Sequence, residues 1–277
     1  MRRFQLFEIL DQSWCPQAVR DGATDYLEYI TNTTDTYAAV RGLLLHAIRE
    51  SDSRAVVDLC SGGGGPWLTR AWREAHLDPE WPLVVALTDK FPSAVLQSRL
   101  RPNDQTLRAI THPVDATAVP DDLQGFRTIF ASFHHFPDSV ATEVLKDAVR
   151  AGEGIAMAEV TSRTLKSMAV VFLISLLTLL LTPFIRPFRL SRILFTYLLP
   201  AIPLTVLWDG LVSCLRTRTP AELDKLVVGL AQFSWTTGYA SEGRLPLPVV
   251  YLIGLPIKKK ISSESAGRCH QPYGKRL

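Results

Sequence analysis

The segment Val56-Val57-Asp58-Leu59-Cys60-Ser61-Gly62-Gly63-Gly64-Gly65-Pro66-Trp67 constrains this chain more than any other. A short apolar strand former leads into an acid, four consecutive glycines and a proline suited to a first helical position, where a missing N–H costs nothing. Glycine adopts left-handed backbone without a Cβ penalty and lets the main chain approach a ligand that side chains would exclude. A strand, a glycine turn and a helix start in that order belong at the carboxyl edge of an open parallel sheet, where α/β folds bind ligands.

The chain around it has the matching rhythm. Apolar runs at 55–57, 83–87, 109–110, 128–131 and 155–158 alternate with helical stretches, which predicts parallel strands joined by crossover helices. Runs this apolar suit strands covered on both faces. Residues 1–53 read as a helical cover, with an apolar face at Phe4, Phe7, Ile9 and Leu10 and a second helix over 37–48. A helix over 220–231 and strands near 233–239 and 249–255 close the pattern. The fold class is therefore α/β: a doubly wound, mostly parallel seven-stranded sheet with N-terminal helices and an apolar helical insertion. The expected divisions are 1–53 (cover), 54–162 (ligand-binding core), 163–218 (insertion), 219–257 (closing helix and antiparallel strands) and 258–277 (a basic tail without periodicity, read as disordered).

With 277 residues, 47% of them apolar, the chain can bury a sizeable core. The net charge of +3 is uneven, since a tail of +5 from Lys258 onward leaves the body at −2. No basic stripe for nucleic acid is present, and none is expected as a partner. Cys15, Cys60, Cys214 and Cys269 form no CxxC pair, which argues against a zinc site or a disulfide framework and for a reduced compartment; no metal is expected. Met1-Arg2-Arg3-Phe4 is followed by Glu8 and Asp11 instead of an apolar run, so it is not read as a signal peptide, and the sequon Asn32-Thr33-Thr34 carries little. The expected location is cytoplasmic, with membrane association left open by the insertion.

Chemistry gathers at the strand ends. Residues 83–87 run into Thr88-Asp89-Lys90, placing an acid where a doubly wound sheet receives ribose hydroxyls. Pro113-Val114-Asp115-Ala116-Thr117 repeats the arrangement, and the fourth run ends in Ser132-Phe133-His134-His135-Phe136. With Asp58, Gly62 and Gly64 spaced as an acid followed by alternate glycines, the chain resembles the class I S-adenosylmethionine (SAM)-dependent methyltransferases over residues 54–255 outside the insertion. Cys60 stands where that family has its first glycine. The resemblance implies SAM as cofactor, held by the loop Asp58, Ser61, Gly62, Gly63 and Gly64, by Asp89 on the ribose, by Asp115 and Ala116 on the adenine side, and by Ser132 and Phe133 beside the methionine end. An NAD-type fold is the nearest rival, but an acid in front of the glycines suits a ligand bearing an amino group, as SAM does. For a hydroxyl acceptor a base is needed, and His134 and His135 are the catalytic candidates, because histidine titrates near neutrality; capping of the next helix is the alternative for both.

The insertion is the departure from a plain core. Residues 168–185 are eighteen without a charge, about 27 Å as a helix against roughly 30 Å of bilayer core. A second run, 193–208, contains Pro200 and Pro203, and Arg186, Arg189 and Arg192 lie between the two. Three readings stay open for 168–208: a hairpin dipping into one leaflet, a spanning hairpin, which the arginines oppose, and a soluble cap forming an apolar acceptor pocket. Each puts an apolar surface beside the acceptor, so the expected reaction is methyl transfer, at oxygen, to a hydrophobic small-molecule, natural-product or lipid-like acceptor. The competing class is a non-catalytic membrane-associated or interaction protein that keeps the fold. Asp209 is a further candidate acid for the cleft.

Overall fold

The structure, a computed structural model, describes residues 1–92, 94–100, 104–241 and 247–257. The expected basic tail, 258–277, lies outside the described residues. Helices α1 (Gln17–Thr34) and α2 (Ala38–Glu50) precede β1 (Ala55–Leu59). Then come α3 (Arg70–His76), β2 (Val84–Leu87), α4 (Ala94–Arg99), β3 (Leu107–Ala109), β4 (Phe126–Phe130), α5 (Asp138–Ala151) and β5 (Ile155–Glu159). The insertion holds α6 (Leu165–Leu181), the short α7 (Leu190–Ile193) and α8 (Ala201–Arg216), and α9 (Pro220–Leu226), β6 (Phe233–Ala240) and β7 (Val249–Pro256) finish the core.

The seven strands form one sheet in the order β3-β2-β1-β4-β5-β7-β6. β1 pairs in parallel with β2 and with β4, whereas β7 runs antiparallel to both β5 and β6. The order therefore reverses between β1 and β4, and the carboxyl ends of those two strands flank the crevice that such a reversal opens.

Strand alternation divides the core into two layers. Val56, Phe126, Phe130, Ala156 and Ala158 face α2 and α3 residues such as Leu44, Ile48 and Trp72. Val57, Leu59, Ile129, Ile155 and Met157 face Val144, Leu145 and Leu223 of α5 and α9. Burial of both faces explains why the central runs are apolar throughout instead of alternating. α5 ends on Gly152 in left-handed conformation, and a full capping box between Thr219 and Glu222 starts α9 behind Pro220.

The N-terminal segment differs from its sequence reading. Residues 1–16 hold no helix, and Phe4 and Phe7 are exposed. The backbone N–H groups of Ile9 and Leu10 donate to the Asp209 carboxylate on α8, at 2.7 and 3.0 Å, so a side chain serves donors that a helix would have used itself. Asp209 thus pins the N-terminal segment and does not face the cleft.

The insertion packs as an antiparallel pair, α6 against α8. The chain bends by 77° between Leu190–Leu198 and Ala201–Arg216, where Pro200 and Pro203 deny backbone donors. Its far turn returns to the cover: buried Arg192 bonds Asp25 on α1 at 2.5 Å, and Arg189 reaches Asp21 at 3.3 Å. Gly22 of α1 faces Ile202 so closely that a Cβ there would lie 2.4 Å from its side chain.

Candidate active site

Asp58 sits at the end of β1 with 1% of its surface exposed. Its carboxylate accepts from Ser61 Oγ at 2.6 Å, Thr128 Oγ1 at 2.6 Å and Trp67 Nε1 at 3.2 Å. The bond to Thr128 follows from the β1–β4 register, which places the two residues opposite each other. Burial pushes the Asp58 carboxyl up to about 7, against the three donors. Asp58 accordingly fixes the start and the end of the glycine loop from beneath.

Above it the backbone is left-handed at Cys60 (φ 57), Gly62 (φ 51), Gly64 (φ 105) and Gly65 (φ 54). Cys60 takes the conformation that glycine holds without cost, and for an L-residue this costs about 1–2 kcal/mol. Burial and the neighbouring Asp89, Asp58 and Asp115 carboxylates push its thiol up to about 12. A Cβ at Gly62 would point into open space, whereas one at Gly63 would lie 3.3 Å from Glu28 Oε2 of α1. The loop is therefore open on one side and overhung by the cover on the other.

Asp89 ends β2 and bonds the loop directly: Gly62 N–H donates to Oδ2 at 2.9 Å and Phe91 N–H to Oδ1 at 2.8 Å. A carboxylate has about four lone-pair sites, so two remain for a pair of ligand hydroxyls. Asp115 is tied to the same edge through Lys90 Nζ at 2.9 Å and is held down to about 2 by donors from Thr117 and Lys90. Ser132 Oγ donates to the Cys60 carbonyl at 3.3 Å, joining the end of β4 to the loop. Cys60, Ser61, Gly62, Asp89, Asp115 and Ser132 are thus brought together at the β1–β4 crevice. Ala116 and Phe133 are turned into the lower core layer, 6% and 1% exposed, and lie beneath the edge, not on it.

The histidines occupy a different setting from a solvent-facing base. His134 is buried; its Nδ1 lies 2.8 Å from Glu159 Oε2, its backbone N–H donates to Glu159 Oε1 at 2.9 Å, and its Nε2 faces Glu8 Oε1 at 3.4 Å. Burial works against its charge, but Glu159 and Glu8 outweigh that and raise it to about 10. His135 is 3.0 Å from Asp11 Oδ2 through Nδ1 and 3.5 Å from Glu8 Oε2 through Nε2. Arg216 completes the group at 2.9 Å from Glu8, and burial of Glu8 is overridden by these cations, which hold its carboxyl at about 2. Arg218 bonds Asp138 at 2.8 Å and the Phe133 and Phe136 carbonyls. Glu8, Asp11, Glu159, Arg216 and Arg218 were not singled out from the sequence; only Glu159, an acid closing an apolar strand like Asp58 and Asp89, carried a usable signal.

A cavity of about 480 Å³ opens beside the β5 end, lined by Ser162, Arg163, Lys166, Arg218, Tyr239 and Val250 among others. It adjoins the first turn of α6, and Arg218 in its lining bonds the Phe133 and Phe136 carbonyls.

Seven strands in this order, an antiparallel β7 between β5 and β6, and a left-handed glycine loop bonded to an acid on β2 decide the fold. It is the class I methyltransferase fold. No family model matches the sequence, and no curated protein matches it. Among solved structures, the chain is similar to the plantazolicin methyltransferase BpumL in complex with SAH, with a TM-score of 0.56 and 10% identity over 90% of this chain and 95% of that one. A complex of the same enzyme with a monoazolic desmethylPZN analog and SAH gives a TM-score of 0.53 at 10% identity, covering 86% and 90% of the two chains.

Proposed function

We propose that this protein is a SAM-dependent methyltransferase acting on a hydrophobic, lipid-like acceptor taken from a membrane surface. The observation that carries the cofactor is the loop itself: left-handed at Cys60, Gly62 and Gly64, open at Gly62, and bonded to an Asp89 carboxylate with two acceptor positions to spare. Asp89 would take the ribose hydroxyls, Ser61 to Gly64 the methionine portion, Asp115 the adenine side, with Ala116 supporting that side from the core, and Ser132 the floor between β1 and β4. When bound, SAM supplies an electrophilic methyl on a sulfonium, and the protein's part is alignment and exclusion of water. Asp58 acts on the loop through Ser61, Trp67 and Thr128, and Phe133 supports the edge from below. Because carboxylates face the nitrogens of both rings, we assign His134 and His135 to holding the N-terminal segment, not to removing an acceptor proton.

The packing of the insertion supports the membrane side of the reading. α6 buries Ser167, Val171, Ser175 and Thr178, one helical stripe made mostly of small hydroxyl residues, and exposes Phe172, Leu173, Leu176, Leu179 and Leu180. The stretch Leu165–Phe184 has a mean hydropathy of 2.2 and a buried share of 28%, the reverse of a soluble core helix. Small polar residues between helices and large apolar ones outward is how helices pack in lipid. The apolar face continues through Leu198, Leu199 and Leu204 to Trp208, whose ring touches the exposed Phe7 at 5.7 Å. Both ends of the hairpin are fastened to the body, at Arg192–Asp25 and at Asp209 with Ile9 and Leu10, so it lies along the protein and suits a single leaflet better than a span. The 480 Å³ cavity at the foot of α6 would take the polar end of an amphipathic acceptor.

Calorimetric titration of SAM tests the cofactor half: one site is expected in the wild type, weakened about 10- to 100-fold in Asp89→Ala, the worth of hydrogen bonds to a charged group. No binding by the wild type overturns it, and binding without methyl transfer to any lipid extract leaves the non-catalytic alternative. Flotation with phospholipid vesicles tests the other half. The wild type is expected to float and a Leu173→Ser/Leu180→Ser variant to stay at the bottom; a wild type that stays down contradicts membrane docking.

A further inference from the structure

The Glu8–His134–His135 cluster has features that a holding role does not require. The three side chains come from the N-terminal segment and from the turn after β4, and one donor atom of each lies within 4.8 Å of the others. Both imidazoles are oriented the same way: Nδ1 of His134 is taken by Glu159 at 2.8 Å and Nδ1 of His135 by Asp11 at 3.0 Å, so both Nε2 atoms turn towards Glu8. A carboxylate on the far nitrogen is what orients histidine ligands and raises their basicity. The Glu8 carboxylate is divided in the same sense. Oε1 accepts from Arg216 at 2.9 Å and Ser213 at 3.2 Å, leaving Oε2 to face His135. His134 Nε2 is fully buried and lacks hydrogen-bond geometry to any partner. The Glu8, Asp11 and Glu159 carboxylates surround the imidazoles, with the Arg216 guanidinium beside Glu8 Oε1 at 2.9 Å and His135 Nδ1 at 3.5 Å.

We infer that Glu8 Oε2, His134 Nε2 and His135 Nε2 form a binding site for a divalent transition-metal ion of the zinc or cobalt class. Two imidazoles and a carboxylate are donors that such ions accept at about 2.0–2.2 Å, with a further position left for water or a ligand. His134 Nε2 lies 3.4 Å from Glu8 Oε1 and His135 Nε2 3.5 Å from Glu8 Oε2, about the spacing of donor atoms that share a tetrahedral ion at about 2.0–2.2 Å, so a turn of the Glu8 carboxylate suffices to offer Oε2 to the ion. Asp11, 43% exposed, and His135, 30% exposed, line the route from solvent. The bound ion would fasten the N-terminal segment to the ends of β4 and β5. Cysteine spacing gave no hint of this, because no cysteine takes part and Glu8 lies far upstream of the histidines. The inference is independent of whether the protein binds SAM.

Titration of the metal-stripped full-length protein with Co²⁺, followed by visible ligand-field absorption, tests it. One equivalent is expected to produce the intense bands of a four- or five-coordinate site, lost on adding Zn²⁺. Asp11→Asn is expected to weaken binding about 10- to 100-fold, as loss of an outer carboxylate does, and Glu8→Gln and His135→Gln by more, with His46→Gln, an exposed histidine elsewhere, unchanged. Zinc-edge X-ray absorption of the wild type needs no variant and is expected to show two imidazoles with oxygen. No ligand-field bands, equal bands in Glu8→Gln, or a sulfur shell would overturn the assignment.

Discussion

The two halves of the sheet's carboxyl edge are built by opposite means. At β1–β2 the site is nearly contiguous in sequence, residues 58–65 and 88–91, and its order comes from backbone: left-handed turns, two main-chain donors on Asp89, and one buried acid under the loop. At β4–β5 the edge is a side-chain lattice drawn from distant segments, with Glu8, Asp11, His134, His135, Glu159, Arg216 and Arg218 meeting only in the fold. The first half is preorganised by local conformation, and the second depends on every ionic partner being present.

Removing a partner from the lattice should therefore cost most. Glu159→Ala leaves His134 buried without its closest counter-charge, and urea unfolding near neutral pH is expected to show a loss of about 3–5 kcal/mol. A loss below about 1 kcal/mol would show that the lattice is looser than its distances imply. The β1–β2 half should respond to pH instead. Burial raises Asp58 from the ordinary 3.8 to about 7, so between those values the unfolded chain is ionised there while the folded one keeps its proton. Stability from this group is present at low pH and falls as pH rises through that window, by about 4 kcal/mol in all. The wild type should lose that much relative to Asp58→Asn between pH 4 and pH 7; a constant difference between the two proteins would remove the burial argument. The smallest effect is expected at Cys60, where Cys60→Gly relieves the left-handed strain and stabilises by about 1 kcal/mol in the same assay. A destabilised variant would mean that the packing of the thiol outweighs the backbone.

This contrast also separates what was legible in the sequence from what was not. The alternating apolar runs, the glycine loop and the acids Asp58, Asp89 and Asp115 sit where local pattern and strand order put them, because β1, β2 and their turns are adjacent in chain and in space. Cys60 at a glycine position was visible as a departure, and its φ of 57 is how the fold accommodates it. The extended N-terminal segment was not legible: Phe4, Phe7, Ile9 and Leu10 look like a helix face until Asp209, from the other side of the insertion, takes the Ile9 and Leu10 donors. For the same reason His134 and His135 read from the sequence as candidate bases or helix caps, since nothing near them in sequence announces Glu8, Asp11 or Arg216. Hydropathy identified the insertion, but its packing, with Ser167, Ser175 and Thr178 inward and Leu173, Leu176 and Leu179 outward, on which the membrane-docking proposal rests, is visible only in the structure.

Amide hydrogen exchange with and without S-adenosylhomocysteine tests the division most directly. Protection is predicted at residues 59–65, 88–91 and 113–117, with the N-terminal segment and residues 168–208 exchanging as before. Unchanged exchange in the glycine loop, or protection confined to the β4–β5 edge and the insertion, would contradict the placement of the cofactor in the backbone-built half.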